Sequence, residues 1–378
     1  MIISEHIEKA MEKIEGWWNG ELVGDRVCIG FWIPKPGKEN VKEQDLNRFC
    51  PPLEEGEPDF EKMVESKIKM LHSRLYFGEE IPRFFHEFGG RCVPIIMGAY
   101  LGGDLKFGHN TIWQVPSIDL WRNFEPKFDL ENFWYLWSKK IVTLATEASK
   151  GEFIVDLPDF GDVLTSLFKL RGPYIFEEIG WEPKILQVRD EFFEVWTKYY
   201  GDFYQTISQK FPGSSHWLIW APGKAYACQC DASCMVFGKA KEIVLKRIVE
   251  DFIIPEIEKL GKYLDYIIWH MDGHEQISYL DTLLELPQIK AIQWVPGMGN
   301  PPAAEWIWLL QKIQRAGKSV WVSANNEIEV KTLIENLLPQ RLYIAGGFTG
   351  KGKREAKEFL NTVTCLTKER IKTIKKQN

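Results

Sequence analysis

Four short runs rich in β-branched and aromatic residues stand out in the C-terminal third of the chain, and each is predicted to be a buried strand. They are Leu264–His270, Ile289–Val295, Ser319–Ser323 and Arg341–Ala345. Their first residues are 25, 30 and 22 positions apart, and each interval holds an amphipathic pattern long enough for a helix that returns the chain to the next strand. Buried strands alternating with helices predict a parallel sheet with helices packed outside it.

The same alternation continues upstream with lower contrast. Four further strands are predicted at Cys92–Met97, Phe153–Asp156, Trp217–Trp220 and Tyr226–Asp231, and two long helices at Leu130–Ser149 and Lys184–Lys210. Eight strands in all predict a closed (β/α)8 TIM barrel, an α/β fold. A ninth strand, Arg26–Ile33, and the helix before it are expected to form a plug or cap outside the barrel. We therefore expect one domain over residues 1–378, with residues 1–90 as an N-terminal extension or cap.

The charge balance argues against a nucleic-acid partner. Lys and Arg number 47 against 53 Asp and Glu, a formal net charge of −6, so no broad positive face is expected. The one basic run, Lys351 to Lys376, also carries Glu355, Glu358 and Glu369, which favours a solvated helix face. The N-terminus lacks a signal-peptide core, and no window approaches the ~18 apolar residues of a membrane span. We expect a cytoplasmic protein with no membrane partner.

The seven cysteines are spread through a long chain, which predicts reduced thiols rather than a disulfide framework. Cys228, Cys230 and Cys234 raise the alternative of a zinc site, although their spacing matches no common structural zinc pattern. Cys228 and Cys230 share a strand face opposite Gln229 and Asp231. If the polar pair faces a cavity, the cysteines point away from it, and we interpret them as buried and inert. The 16 Trp, 12 Tyr and 23 Phe favour a broad cavity in addition to a core.

Polar residues cluster just past the predicted strands, where a parallel barrel forms its active site. The candidate site residues are Gln229, Asp231, His270, Asp272, Gln293, Trp294 and Glu327, with Trp217 upstream. His270 and Asp272 alternate in an extended segment, so their side chains share a face and would converge on one metal ion or one proton. A hydrogen-bonded pair that stabilises a loop is the alternative. The glycine-rich run Gly346–Lys353 lacks P-loop spacing, and we interpret it as a turn rather than a phosphate cradle.

Three motifs carry a resemblance to a known family. They are Gln229–Asp231, Leu264–Gly273 and Ile292–Pro302, with weaker support at Trp113–Pro116, Leu170–Pro173 and Trp220–Gly223. With these motifs the chain resembles the uroporphyrinogen decarboxylase superfamily and, within it, the trimethylamine corrinoid protein-like branch of corrinoid-dependent methyltransferases. The resemblance covers most of the chain. It implies a (β/α)8 barrel, in agreement with the strand count.

Departures from the family's patterns narrow the implied activity. The decarboxylases carry an arginine-rich segment on an early loop that grips the substrate's carboxylates, whereas residues 26–37 contain one arginine, Arg26. The thiol-activating methyltransferases hold a zinc ion with His-x-Cys and a distant Cys, whereas Asp272 replaces the first Cys and Arg341–Lys353 contains none. The remaining implied activity is removal of a methyl group from a small O- or N-methylated substrate and its transfer to the cob(I)amide of a partner corrinoid protein.

That resemblance assigns roles to the candidates. His270 is the expected general acid or, together with Asp272, a ligand of a zinc ion, and Asp272 or Asp231 would orient it. The other candidates would hydrogen-bond the substrate or form its apolar wall: Gln229, Gln293, Glu327, Trp294 and Trp217. The expected cofactor is a cobamide on the partner protein, zinc is an option, and a homodimer is left open. The barrel mouth would dock the corrinoid domain.

Two other functions stay open. A lyase acting on a smaller carboxylated substrate would use Asp231 or Asp272 to stabilise a cationic intermediate, and it would release carbon dioxide without any corrinoid. A barrel without catalytic activity would bind a ligand and perform no turnover.

Overall fold

Strands and helices alternate through residues 3–39, 41, 48–52, 55–88, 91, 95–108, 111–236 and 241–377, which are those that the computed structural model describes. The strands are β1 (Cys28–Pro34), β2 (Arg74–Gly78), β3 (Arg83–Phe84), β4 (Asp104–Phe107), β5 (Ile112–Val115), β6 (Ile154–Val155), β7 (Ser214–His216), β8 (Ile219–Ala221), β9 (Ala225–Cys228), β10 (Tyr266–Asp272), β11 (Ile289–Val295), β12 (Ser319–Ala324) and β13 (Leu342–Gly346). The helices are α1 (Glu5–Asn19), α2 (Phe60–His72), α3 (Met97–Tyr100), α4 (Phe133–Ala148), α5 (Val163–Arg171), α6 (Ile175–Glu178), α7 (Pro183–Ser208), α8 (Lys241–Ile248), α9 (Ile254–Leu260), α10 (Leu280–Glu285), α11 (Ile307–Arg315), α12 (Glu327–Asn336) and α13 (Lys353–Gln377).

Seven strands form one central sheet in the order β2-β1-β13-β12-β11-β10-β9. The β1–β2 pair at one edge is antiparallel, and the other five neighbouring pairs are parallel. The four C-terminal runs predicted as strands are adjacent in this sheet as β10 to β13, so the predicted parallel arrangement is confirmed. Their bounds lie within about two residues of the predicted ones, which is the ordinary uncertainty of a strand end.

The two faces of the sheet are buried by different sets of residues. Ile29, Val320 and Ile292 belong to the large core that the outer helices cover. Cys28 and Ala291 belong to a smaller core on the other face, together with α1. Since successive residues of a strand point to opposite faces, this assignment fixes where each strand-end side chain points.

Helix α1 covers the second face at the N-terminal ends of the strands. Trp17 donates from Nε1 to the carbonyl of Val320 at 3.2 Å, and Trp18 donates from Nε1 to the carbonyl of Trp220 at 2.9 Å. The hydroxyl of Ser319, the first residue of β12, donates to the carbonyl of Trp17 at 2.8 Å. The helix thus closes one end of this face and leaves the C-terminal ends of the strands to polar side chains.

The prediction that Arg26–Ile33 lies outside the barrel strands is wrong. β1 pairs in parallel with β13, with Cys28 opposite Tyr343 and Gly30 opposite Ala345. The first four residues of β1 are all buried, as is typical of a strand covered on both faces. The N-terminal 90 residues therefore contribute β1 and β2 to the central sheet.

Other predicted strands are shorter or displaced. The run Trp217–Trp220 spans the turn of a hairpin between β7 and β8, and the run Tyr226–Asp231 ends its pairing at Cys228. Residues 92–94 of the predicted strand Cys92–Met97 lie outside the described residues, and Met97 begins α3. The run Phe153–Asp156 contains β6, which pairs in parallel with β3.

The long helices match their patterns closely. α4 and α7 occupy the stretches predicted at Leu130–Ser149 and Lys184–Lys210, and α13 contains most of the basic run. Between α8 and α9 the helix widens to a π-turn at Val249–Ile253, just before Pro255, whose missing N–H accounts for the irregularity. Within the described residues, none of the helices combines the length and apolarity that a membrane span requires.

Candidate active site

His270 is the centre of the polar cluster at the C-terminal ends of the strands. It pairs in register with Gln293 across β10 and β11, and its Nδ1 is hydrogen-bonded to the Gln293 Oε1. An amide oxygen only accepts, so Nδ1 donates and the second nitrogen, Nε2, is the one available for chemistry. The Asp272 Oδ2 lies 4.0 Å from Nε2, since the two residues share a face of β10 as predicted.

Trp217 forms one wall beside His270. The edge of one ring meets the face of the other, with 4.8 Å between the ring centroids and 84° between the planes. The indole is half-buried in the turn between β7 and β8. This turn is therefore the element that brings Trp217 to the ends of the central strands.

Asp231 and Gln229 approach the same cluster from the end of β9. Burial raises the pKa of the Asp231 carboxyl, while the nearby His270 acts to lower it and Asp272 to raise it. Gln229 is buried and donates from Nε2 to the Asp159 Oδ1 at 3.4 Å. The structure thus brings together Gln229, Asp231, His270, Asp272 and Gln293.

Two of the predicted site residues lie elsewhere. Trp294 points to the opposite face of β11 from Gln293, because neighbouring residues of a strand alternate. It packs in the core that the helices cover, with 5.2 Å between its ring centroid and that of Trp306. Glu327 is exposed at the first position of α12, and it makes no hydrogen bond or ion pair with the other candidates in the described part of the chain. Neither residue can line a pocket around His270 in this arrangement.

Three buried residues that the sequence reasoning missed adjoin the cluster. The His216 Nε2 lies 3.7 Å from the Asp159 Oδ1, and the Tyr226 hydroxyl donates to the same oxygen at 3.2 Å. Burial alone would raise the pKa of Asp159, but the adjacent His216 and Tyr226 help to bring it below its ordinary value. Asp159 follows a predicted strand, so the strand-end rule applied to the other segments could have found it.

A cavity of about 390 Å³ opens on the other side of Trp217. Its lining includes Arg74, Tyr76, Glu80, Arg83, Asp156 and Trp217. Arg83 donates from Nη1 to the Asp156 Oδ2 at 3.4 Å, and burial raises the pKa of both Glu80 and Asp156 although Arg83 opposes this in each case. Both arginines of this lining belong to β2 and β3, outside the early loop of residues 26–37. Arg26 itself is held by Glu79 through two hydrogen bonds of 2.6 and 2.8 Å.

The donor set does not fit a resident zinc ion. A catalytic zinc keeps three protein ligands, and no group of three or more His, Cys, Asp or Glu side chains suited to a metal occurs among the described residues. His270 and Asp272 form a pair only. Cys228 and Cys230 are buried in the core facing the helices, as predicted, and burial raises the pKa of both thiols well above the ordinary value.

The glycine-rich run after β13 is a turn, and two of its amides are already hydrogen-bonded within the chain. Gly346 and Gly347 adopt φ of 84° and 83°, a conformation that favours glycine. The Glu355 Oε2 accepts hydrogen bonds from the amides of Lys351 and Gly352 at 3.0 and 3.2 Å. These contacts favour the interpretation as a turn over a phosphate cradle.

No protein-family model and no curated protein matches the chain.

Proposed function

We propose that the chain is an enzyme that removes a methyl group from a small O- or N-methylated compound and passes it to the cob(I)amide of a partner corrinoid protein. The proposal rests on the contacts of the two ring nitrogens of His270 and on the position of this residue in the sheet. Its Nδ1 is held by Gln293, its Nε2 faces Asp272, and the pair stands at the C-terminal ends of parallel strands. That is where barrel enzymes hold their catalytic groups.

The proposal includes a (β/α)8 barrel. The central sheet ends at β9, and the amide of Ala225 at its first residue donates to the Ser214 hydroxyl of β7 at 2.8 Å. β7 is linked in turn to the chain after β6 by a parallel bridge between His216 and Leu157, and β6 pairs in parallel with β3. This succession of contacts beyond β9, of which the last two are parallel, supports closure of the sheet toward its other edge.

The chemistry assigned to the chain is proton transfer and positioning. When an O-methyl bond breaks, its electron pair goes to the oxygen, which takes a proton from the His270 Nε2. The reduced corrinoid of the partner would supply the nucleophile that accepts the methyl carbon. For this step the imidazole must carry a proton on Nε2, and Asp272, whose Oδ2 lies 4.0 Å from that nitrogen, would orient the ring. Gln229 would hydrogen-bond the substrate, and the Trp217 edge would form its apolar wall.

We propose that the partner docks at the same rim. Three large apolar side chains are exposed on the segments that follow β9, β11 and β12: Met235, Met298 and Ile328. A contiguous exposed apolar patch marks a surface that another protein or a flat apolar group covers, and these three side chains are the ones proposed to form it. The methyl acceptor would then approach the site from the side to which the strands point.

The test measures methyl transfer directly. Purified protein is mixed with free cob(I)alamin, generated by chemical reduction, and with a panel of methoxylated aromatic compounds and methylamines. We expect the absorbance of cob(I)alamin to fall with at least one methyl donor. With an O-methyl donor, His270→Ala should slow the transfer about 10²- to 10⁴-fold, since it removes the general acid.

The control is His72→Ala, which removes an exposed imidazole on α2 whose partner is Glu152 at 2.8 Å. This variant should transfer methyl groups at the wild-type rate. A full rate in His270→Ala, or no transfer from any donor in the panel, would falsify the proposal.

A second candidate is the lyase, and the arginines of the cavity favour it. Arg74 and Arg83 could hold a small carboxylated substrate beside Trp217, with Asp231 stabilising a cationic intermediate. The lyase predicts that carbon dioxide is released from a carboxylic acid in the absence of any corrinoid. Methyl transfer without carbon dioxide release would dismiss this candidate.

A further inference from the structure

Most N–H donors of the Arg83 guanidinium make no hydrogen bond to the described residues. Its side chain is 21% exposed, and the one hydrogen bond it makes within the described residues runs from Nη1 to the Asp156 Oδ2 at 3.4 Å. A guanidinium carries five N–H donors. None of its nitrogens is among the buried side-chain atoms that lack a partner in the described residues, so the unused donors are accessible, and Arg83 lines the cavity beside Trp217.

Further polar groups of the cavity are also available to a ligand. Trp217 lines it, and its Nε1 is buried without a hydrogen-bond partner in the described part of the chain. Arg74 lines it as well, with its guanidinium 3.9 Å above the Trp32 ring centroid. The cavity therefore presents N–H donors and positive charge on two sides. Its volume of about 390 Å³ suits a small organic molecule.

Two carboxyl groups, Glu80 and Asp156, also line the cavity. Asp156 is engaged by Arg83. Burial raises the pKa of Glu80, while Arg83 and Arg74 act to lower it. The ligand chemistry that matches a guanidinium fork is a carboxylate, whose two oxygens accept in the same plane.

Trp217 connects this cavity to His270. It lines the cavity, and its ring centroid is 4.8 Å from that of His270. We propose that the methyl donor is a carboxylic acid whose carboxylate binds Arg83 in the cavity while its methylated group extends past Trp217 toward His270. The inference rests on the proposed function for its second half, the position of the methyl group, but the carboxylate site can be tested without it.

The experiment compares ligands that differ only in charge. Binding of 4-methoxybenzoate and of 4-methoxybenzamide to the wild-type protein is measured by titration calorimetry, and the aliphatic pair methoxyacetate and methoxyacetamide is measured in the same way. We expect one acid or both to bind at least about tenfold more tightly than the matching amide, since a hydrogen bond to a charged group is worth that much. Arg83→Gln should remove most of the difference.

Arg354→Gln is the matched control, because it makes the same change of charge on a side chain of α13 that is 88% exposed. Its acid-to-amide ratio should equal that of the wild type. Acids that bind no tighter than their amides would overturn the proposal. This comparison uses the wild-type protein alone, so it does not depend on whether a variant folds. An unchanged affinity for the acid in Arg83→Gln would overturn it as well.

The two proposals fail in different ways. Tight binding of the acid without methyl transfer to cob(I)alamin would contradict the proposed methyltransferase activity and support the carboxylate site. Methyl transfer from neutral donors, with no preference for acids, would support the methyltransferase and contradict the carboxylate site.

Discussion

Two histidines flank Trp217, and their surroundings give them different chemistry. The His270 Nδ1 is bonded to an amide oxygen, which leaves Nε2 to exchange a proton. His216 is buried, and its ring packs at a tilt against that of Tyr226 with 4.2 Å between the ring centroids. Its Nε2 lies 3.7 Å from the Asp159 Oδ1. His270 is therefore suited to proton transfer, and His216 to holding a buried carboxylate in place.

A pair of buried carboxyl groups behind the cluster makes stability depend on pH. Burial raises the pKa of Asp162 to about 7, and the nearby Glu256 has its own pKa raised well above the ordinary value by burial and by Asp162. The folded state therefore binds a proton that the unfolded state releases near pH 4. The free energy of unfolding should fall as the pH rises above about 4; the part due to Asp162 should be complete by about pH 7, and the part due to Glu256 should add to it.

Asp162→Asn should remove the part of this dependence that is due to Asp162. Asp162 caps α5 by accepting from the amide of Thr165 at 2.8 Å, and asparagine can make the same bond. The loss of stability between pH 4 and pH 7 should shrink by about 2–4 kcal/mol, which corresponds to the size of the pKa shift. Urea unfolding at four values of pH between 4 and 8 measures it.

Asp281→Asn serves as the control, because Asp281 is exposed and pairs with Lys312 at the surface. Its stability profile should follow that of the wild type. If Asp162→Asn kept the wild-type slope, the raised pKa of Asp162 could not be its origin.

Contacts between candidate residues could be predicted where they depended only on the alternation of side chains along a strand. His270 and Asp272 share a face because they are two positions apart on β10, and Cys228 points away from Gln229 for the same reason. His216 and Arg83 could not be placed in this way. They reach the site through pairing between segments about 60 to 70 residues apart, which a local pattern does not encode.

Helix α1 is the element that seals the sheet opposite the site. Its two tryptophans lie with 4.8 Å between their ring centroids, and each donates to a backbone carbonyl of the β8 or β12 strand. Trp18 also packs against Tyr266 of β10. The helix thus connects segments of the sheet that are distant in sequence.

Trp18→Ala should destabilise the protein by about 3–5 kcal/mol, since it empties a fully packed aromatic site and removes a hydrogen bond. Trp18 is 3% exposed, and the control Trp181→Ala changes a side chain that is 88% exposed. The control should alter the free energy of unfolding by less than about 0.5 kcal/mol. Midpoints of urea unfolding measure both, and equal midpoints would show that α1 is not part of the stable core.

Long elements were predicted well and short ones poorly, for a physical reason. α4, α7 and β11 carry a periodic pattern over many residues, and the predicted and observed bounds nearly agree. β3 and β6 are two residues long, and the β7–β8 hairpin turns within the run that was predicted as one strand. Such short strands are defined by their partners, so a pattern of two or three residues cannot identify them.

The central sheet joins the two ends of the described chain. β1 pairs with β13 across more than 300 residues, and the β1–β2 hairpin extends the same edge. Glu79, just after β2, accepts hydrogen bonds from Arg26 and from the amide of Ile29, which fixes this edge with a buried ion pair. The N-terminal segment is thus a structural part of the sheet that carries the candidate site.

This arrangement predicts unequal protection of backbone amides from hydrogen exchange. β11 and β12 are paired on both sides, and nearly all residues of β11 are buried. β4 and β5 pair only with each other among the described strands, and both expose alternate residues. Amides of β11 and β12 should therefore exchange only through global unfolding, whereas those of β4 and β5 should exchange through local opening at a lower free energy.

Native-state exchange followed by mass spectrometry, with Trp18→Ala beside the wild type, separates the two cases. The variant should lower the opening free energy of β11 and β12 by the amount measured in urea, because both report global unfolding, and it should leave that of β4 and β5 nearly unchanged. Equal protection of β4–β5 and β11–β12 in the wild type would contradict the prediction. In that case the antiparallel hairpin would belong to the same cooperative unit as the sheet that carries His270.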